Sequence, residues 1–304
     1  MISVLIPAYN VSPFIEDAIN SIIYQSYTNL EIIIIDDCST DDTYQKCMAL
    51  KKNDSRILVF KNDVNSGIAY TLNRALDLAS GEFIVRMDAD DICDSERVEK
   101  LYNFLQDNPN IDLVGSYTKT IDENNKVIGQ YEPLIKHSDL VNTCTWATPV
   151  LHIWMCRKSL YDEVGKYRFP PVEDYDFLLR CISKGFKLHN YPEPLYSVRV
   201  RGGNTVDTYG YKQLKSFEKV CNAYKSSILL QKSFDLNCDD NNVIQKKLYE
   251  ISRKTLEKGS KSYHSNCKLI GVCLFLLSAL ISPFQFKYLY RRFRISLYKK
   301  ISNR

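Results

Sequence analysis

Apolar and polar positions change their period several times along this chain, and the changes mark its elements. Residues 2–6 are a short apolar run stopped by Pro7, which reads as a buried strand. Phe14, Ile15, Ala18, Ile19, Ile22 and Ile23 then recur at helical spacing, with Ser12-Pro13 placed as N-cap and first-turn proline and Glu16 and Asp17 at the positive end of the dipole. Residues 31–37 are apolar throughout before they end in Asp36-Asp37, as a parallel strand covered on both faces would be. Ser39 with Asp42 resembles a capping box for a helix reaching about Lys52. A third strand covers 57–60, an amphipathic helix 68–79 stops at Gly81, a fourth strand starts at Phe83, a helix starts near Asp94, and a fifth strand covers 111–116. Strand and helix alternate over this region, which predicts an α/β fold, a mostly parallel sheet flanked by helices.

In such sheets ligands bind at the carboxyl ends of the strands. Here those ends carry Pro7-Ala8-Tyr9, Asp36-Asp37, Asn62-Asp63 and Asp88-Ala89-Asp90. Three carboxylates crowded after a hydrophobic strand, Asp88, Asp90 and Asp91, repel one another. Oxygen ligands two residues apart suit a hard cation, Mg²⁺ or Mn²⁺, shared with a substrate phosphate, and small Ala89 leaves room for backbone to approach. Taken alone, an Asp-x-Asp is more often a solvated turn; its place at a strand end among other acids changes that. The first strand is followed by Pro-Ala-Tyr-Asn rather than a glycine-rich loop, and only Gly67 and Gly81 occur in the first hundred residues. Dinucleotide-binding and P-loop folds are therefore disfavoured.

The alternation breaks after residue 116. Residues 119–131 read as a hairpin or long loop, and 143–158 as a mixed stretch holding Trp146 and Trp154. Pro170-Pro171 precedes a helix with Glu173, Asp174 and Asp176 in its first turn, and 192–200 is extended. Residues 211–256 are helical with a break near 237–242. Residues 269–281 are apolar but for Ser278, too short for the ~20 residues of a membrane span; 284–301 interleave aromatics with bases. Of the 40 basic residues, eight fall from Lys268 onward, where there is no acid; the remainder carries 32 bases against 36 acids. An acidic body with a basic apolar tail points to an anionic membrane surface and away from nucleic acid. The ten cysteines form no Cys-x-x-Cys pair, and several sit in apolar helical patterns, which predicts reduced thiols in a cytoplasmic protein. No signal peptide is expected before the first strand.

Taken jointly and in order, five segments resemble the family-2 glycosyltransferases of the A-type (GT-A) nucleotide-sugar fold: Val4 to Asn10, Ile35 to Asp41, Asn65 to Asn73, Met87 to Asp91 and Glu173 to Asp176. The resemblance spans residues 1–205 and leaves 206–304 as a helical extension, with the apolar segment 269–286 and a basic amphipathic tail. It implies that Pro7, Ala8 and Tyr9 line the nucleotide base and that Asp37 hydrogen-bonds it. Gly67, Asn73, Asp88 and Ala89 would also face the nucleotide sugar, Asp88 at its ribose. Asp90, with Asp88, would hold Mn²⁺ or Mg²⁺, and Asp174 would be the general base. Cys38 stands where the family usually has Gly. Arg201 stands where it often has His, so Arg201 is expected at the leaving diphosphate instead. Trp154, His152 and Arg199 are as readily packing residues as acceptor contacts.

The resemblance implies inverting, non-processive transfer of one sugar from a nucleotide-diphosphate donor, UDP-linked by expectation. The acceptor would be a glycan or polyprenyl-diphosphate-linked glycan at the inner face of the cell membrane. Two alternatives are weaker. Nucleotidyl transfer onto a sugar phosphate normally uses a glycine-rich basic loop, which residues 7–13 lack, and an inactive sugar-nucleotide-binding protein would not need the full set of acids.

Overall fold

The computed structural model describes residues 1–202, 205–230, 242–265 and 267–302, with residues 205–209 and His264 described in backbone only. In chain order the elements are β1 (Ile2–Ala8), α1 (Ile15–Ile23), β2 (Leu30–Asp36), α2 (Thr43–Lys51), β3 (Ile57–Lys61), α3 (Ile68–Leu78), β4 (Phe83–Arg86) and β5 (Ile92–Cys93). They continue with α4 (Arg97–Asp107), β6 (Leu113–Ile121), β7 (Val127–Tyr131), α5 (His137–Thr143), β8 (Met155–Arg157), α6 (Ser159–Val164), α7 (Glu173–Ser183) and β9 (Leu188–Arg199). The carboxy-terminal helices are α8 (Thr205–Lys225), α9 (Val243–His264), α10 (Lys268–Ile281) and α11 (Pro283–Ser302). The expected break at 237–242 lies, but for Asn242, outside the described residues.

The strands make one sheet in the order β3-β2-β1-β4-β8-β6-β9-β5, with β7 hairpinned onto β6. β3, β2, β1 and β4 run parallel. Beyond β4 the sheet turns mixed: β8 is antiparallel to both β4 and β6, while β6 and β9 run parallel. The period-2 alternation of side chains sorts the isoleucine-rich strands into two cores. Ile2, Val4, Ile6, Ile32 and Ile34 meet α1, α2 and α4 on one face. Leu5, Ile33 and Ile35 meet α3, α5, α6 and α7 on the other. The four isoleucines at 32–35 are fully buried, each contributing about 1.5–3 kcal/mol, so strand-wide apolarity follows from having helices on both sides.

Several local expectations are corrected. Neither Ser12 nor the Ser39–Asp42 box caps a helix: α1 and α2 begin after Phe14 and Asp42, and neither cap residue supplies a side-chain bond. Asp41 instead accepts the Thr43 and Ser12 N–H groups at 3.0 Å each, Ser39 Oγ accepts Asn10 N–H, and Asn10 Oδ1 accepts Thr40 N–H. These short polar side chains therefore bind the β1–α1 and β2–α2 loops together, a use sequence spacing cannot separate from capping. The helix expected near Asp94 starts at Arg97, and the fifth long strand is Leu113–Ile121, separated from β3 by four strands, on the mixed side of β4.

Candidate active site

β1, β2 and β3 end level with one another, and β4 ends three residues earlier, opposite Leu5. Ala8 pairs with Asp36, Asp37 N–H donates to Ala8 O, and Met87 N–H donates to Leu5 O. The residues following β1, β2 and β4 therefore emerge on one rim, at strand spacings of about 4.8 Å. α7 starts on that rim as well, because Glu173 reaches Arg86 at the end of β4 (Nη2 to Oε1, 3.3 Å). Asp37, Asp88, Asp90 and Asp174, scattered over 138 residues of chain, thus share one edge of the sheet.

On the β2 side, Asp37 is buried and accepts Asn62 Nδ2 (2.7 Å), Ser66 N–H (2.8 Å) and Gly67 N–H (2.8 Å). Three of roughly four carboxylate acceptor positions are used. Asp37 thereby shapes the loop leading into α3 and has one acceptor position left. Gly67 adopts φ +83° and ψ 164°, a region open essentially to glycine, and this conformation aims its N–H at Asp37. Cys38 has φ +60°, which explains why glycine is usual there. Tyr9 is exposed at the rim, whereas Pro7 and Ala8 are buried, Ala8 in the core with Ile6. Asn73 has a different part from the donor contact expected of it: both ends of its amide hold the Tyr167 backbone, at 2.8 and 2.9 Å. Ala89, too, turns its methyl into the core beside Met87, so its small size serves packing.

At the end of β4 the acids are heavily neutralised. Asp88 Oδ2 lies 2.8 Å from His152 Nε2, and its Oδ1, buried and without a hydrogen-bond donor among the described residues, lies 3.8 Å from Arg86 Nε. Burial alone would raise Asp88; His152, Arg86 and Arg201 outweigh it and hold the carboxyl far below the usual range. Burial alone would lower His152, but the Asp88 carboxylate raises it to about 9, so the imidazole is a cation here. Asp91 is the opposite case: burial, then Asp88 and Asp90, push it well up, against the Arg199 N–H that donates to its Oδ1 at 2.7 Å. Asp90 turns to Arg201, Oδ2 to Nε at 2.6 Å, and its carbonyl accepts Arg199 Nε. Arg199 also donates to the carbonyls of Asp122 and Glu123, lashing the β6–β7 hairpin to this loop.

Beside the metal pair expected, Asp88 with Asp90, the structure offers a second grouping of ligand atoms. Among the described residues, the ligand atoms lying within 4.8 Å of one another belong to Asp88, Asp91 and His152. The donor chemistry fits a hard cation: two carboxylates and a buried Asp88 oxygen lacking a donor, with an imidazole that must first lose its proton to join. In this structure His152 and Arg86 supply the positive charge.

The Glu-Asp-Tyr-Asp run divides by burial. Glu173 is buried against Arg86; burial and then Asp174 raise its carboxyl. Asp176 is fully buried and bound to Arg168 and Arg180. Asp174 is half-buried, with Oδ1 accepting the Tyr175 N–H at 2.7 Å, and it is near enough to Arg86 and His152 to favour their charged forms. Its second oxygen has no partner among the described residues. Trp154 is core, bonded through Nε1 to Tyr161. His152, Asp91 and Arg86 are site residues that sequence reasoning missed or left open. The signal for Asp91 was its place in the acidic run; nothing local marked His152.

Fold and rim together are those of an A-type glycosyltransferase. The structure resembles Staphylococcus aureus TarS crystallised with UDP-GlcNAc (TM-score 0.61, 20% identity, 95% of this chain and 88% of that one). It also resembles a mannosyltransferase from Pyrobaculum calidifontis in complex with GDP-Man and Mn²⁺ (TM-score 0.57, 17% identity, 98% and 86%). By sequence it is 36% identical over 233 residues to an uncharacterised glycosyltransferase of Haemophilus influenzae, covering 72% of each chain. It is 32% identical over 216 residues to the Escherichia coli UDP-Glc:α-D-GlcNAc-diphosphoundecaprenol β-1,3-glucosyltransferase WfaP, covering 69% of this chain and 76% of that one. Residues 3–165 match the profile of glycosyl transferase family 2, and the chain belongs to that family.

Proposed function

We propose that the protein is an inverting, non-processive, metal-dependent transferase that moves one sugar from a UDP-linked donor to a hydroxyl of a lipid-linked glycan, in cell-surface polysaccharide synthesis. The observation that carries this reading is Asp174. It stands at the start of α7 with one carboxylate oxygen uncommitted among the described residues, near enough to Arg86 and His152 to favour their charged forms. A carboxylate so placed takes the proton of the acceptor hydroxyl as its oxygen bonds to the anomeric carbon. The bond from that carbon to the nucleoside diphosphate breaks, and the diphosphate leaves with the electron pair. One base and one departing group on opposite sides of the carbon give inversion.

Tyr9 and Asp37 bind the base in this reading, Asp37 through its remaining acceptor position. Arg86, His152 and Arg201 line the rim where the diphosphate gains charge. Asp88, with Asp91 or Asp90, would hold Mn²⁺ or Mg²⁺, which supplies further charge neutralisation at the diphosphate. The activity of WfaP, glucosyl transfer to a diphosphoundecaprenol-linked sugar, supports a polyprenyl-diphosphate-linked acceptor here. No described helix is long and apolar enough to cross a membrane, which fits peripheral association at the cytoplasmic membrane face.

Isothermal titration with UDP, with and without Mn²⁺, tests the donor assignment. The expected result is binding that Mn²⁺ strengthens; absence of binding in both conditions would refute it. The anomeric configuration of product formed from a hydrolysable donor panel, read by NMR, tests inversion.

A further inference from the structure

The two long sides of α11 face different surroundings. Inward, Arg291 lies 4.6 Å over the Phe217 ring and Arg294 lies 3.7 Å over Trp146. Tyr298 O–H donates to Asp139 Oδ1 at 2.9 Å, and Lys299 reaches the Glu132 carbonyl. Outward, Phe286, Tyr290, Phe293, Leu297 and Ile301 follow one another at steps of four, three, four and four residues. At about 100° per residue they fall within one narrow stripe. All five are exposed, from 48% for Leu297 to 66% for Ile301. Lys287 and Lys300, both exposed, border the stripe. The preceding α10 exposes Leu269, Leu276 and Leu280 in its turn.

An apolar stripe of five large side chains on a twenty-residue helix is not the scatter of single hydrophobics found on ordinary surfaces. Its charge decides what covers it. From Lys268 to the end the chain has eight bases and no acid, so a second copy laid against it would set cation against cation. An anionic bilayer takes the aromatic and aliphatic side chains into its headgroup boundary and the bases among its phosphates. α10, with fourteen residues, is about 21 Å long and falls short of the ~30 Å hydrocarbon layer, so a helix lying along the surface is favoured over a span.

We propose that the outer stripe of α11 docks on an anionic lipid surface, with the helix lying in the plane of the headgroups. The inference deepens the reading of a lipid-linked acceptor and rests on it only for its purpose. The inner side of the same helix is linked to α7: Arg291 lies over Phe217, which stacks on Tyr175, the neighbour of Asp174, at 4.1 Å. Docking through α11 would therefore hold the helix that carries Asp174 at a fixed distance from the lipid surface.

Flotation of the purified full chain with phosphatidylcholine vesicles, with and without phosphatidylglycerol and without any acceptor lipid, tests the proposal. The expected result is recovery with the phosphatidylglycerol vesicles, weakened by salt. The paired substitution Phe293→Ser, Leu297→Ser should lower that binding at least tenfold, and Lys287→Gln or Lys300→Gln roughly fivefold each. Phe293, Leu297 and Lys300 are exposed, and Lys287, 57% exposed, gives up only a surface ion pair with Glu218 (2.9 Å), so folding by circular dichroism and UDP release from a soluble donor should be unchanged. Failure to float with anionic vesicles, binding that survives the paired substitution, or a dimer dissolved by it would each overturn the proposal. Absence of UDP release from the wild-type chain with vesicle binding intact would instead count against the transferase reading alone.

Discussion

Asp174 and Asp176 are two residues apart in one motif, and replacing each by Asn should separate chemistry from architecture. Asp176 has no exposure. Its carboxylate accepts Arg168 Nε and Nη2 and Arg180 Nε at 2.9–3.2 Å, and Arg180 is itself 4% exposed. Asn can keep one of these bonds but removes the negative charge between two guanidinium groups. Removing one partner of a buried pair costs about 3–5 kcal/mol. Arg180 keeps its bonds to the carbonyls of Val164, Gly165 and Lys166, and Arg168 is partly solvated, which places the cost near the lower end, about 3 kcal/mol. For a domain of this size that is a fall in melting temperature of roughly 6–12 °C.

Asp174→Asn leaves Oδ1 able to accept the Tyr175 N–H, so stability should move by less than about 0.5 kcal/mol. Transfer, followed as UDP release with acceptor, should fall by about 10²–10⁴ if the carboxylate is the proton acceptor. Asp176→Asn assayed well below its melting point should keep most of its activity per folded molecule. A transfer rate within a few-fold of wild type for Asp174→Asn would refute the base assignment. An unchanged melting temperature for Asp176→Asn would refute the division of labour drawn from burial.

Two further outcomes are expected. Gly67→Ala forces a side chain into a glycine-only backbone conformation at a cost of about 1–3 kcal/mol and displaces an N–H from Asp37, so calorimetry should show a lower melting temperature and weaker UDP binding together. Burial would raise Glu31, but hydrogen bonds from Ser3, Ser80 and Gly81 outweigh it and leave it lowered, so its stabilisation exists above its unfolded value and is lost as pH falls through the folded one. In urea titrations Glu31→Gln should therefore be less stable than wild type at neutral pH, and the gap should close on acidification.

The parallel half of the sheet was legible because each of its strands carries a run of consecutive apolar residues, which a doubly covered strand needs. The rim was legible for the same reason: acids directly after such strands have nowhere to go but its edge. What escaped was set by partners distant in sequence. Asn73 looks like any polar residue on a helix until Tyr167, ninety-four residues on, occupies its amide. His152 sits in a stretch with no period, and only the fold lays it against Asp88. Asp90 and Asp91 are neighbours with similar side chains, and which of them faces Arg201 depends on how β9 returns to β5. Turn residues such as Ser39 misled because a loop-to-loop bond and a helix cap use the same atoms.

β4 is where the all-parallel part of the sheet meets its first antiparallel neighbour. In the proposed reading the base contacts, Tyr9 and Asp37, are encoded before it and the metal-binding acids and Asp174 after it, which makes codon 87 a natural splice point. On that reading a hybrid joining this amino-terminal portion to the remainder of another family-2 enzyme would keep this chain's base preference and take its target hydroxyl from the other parent.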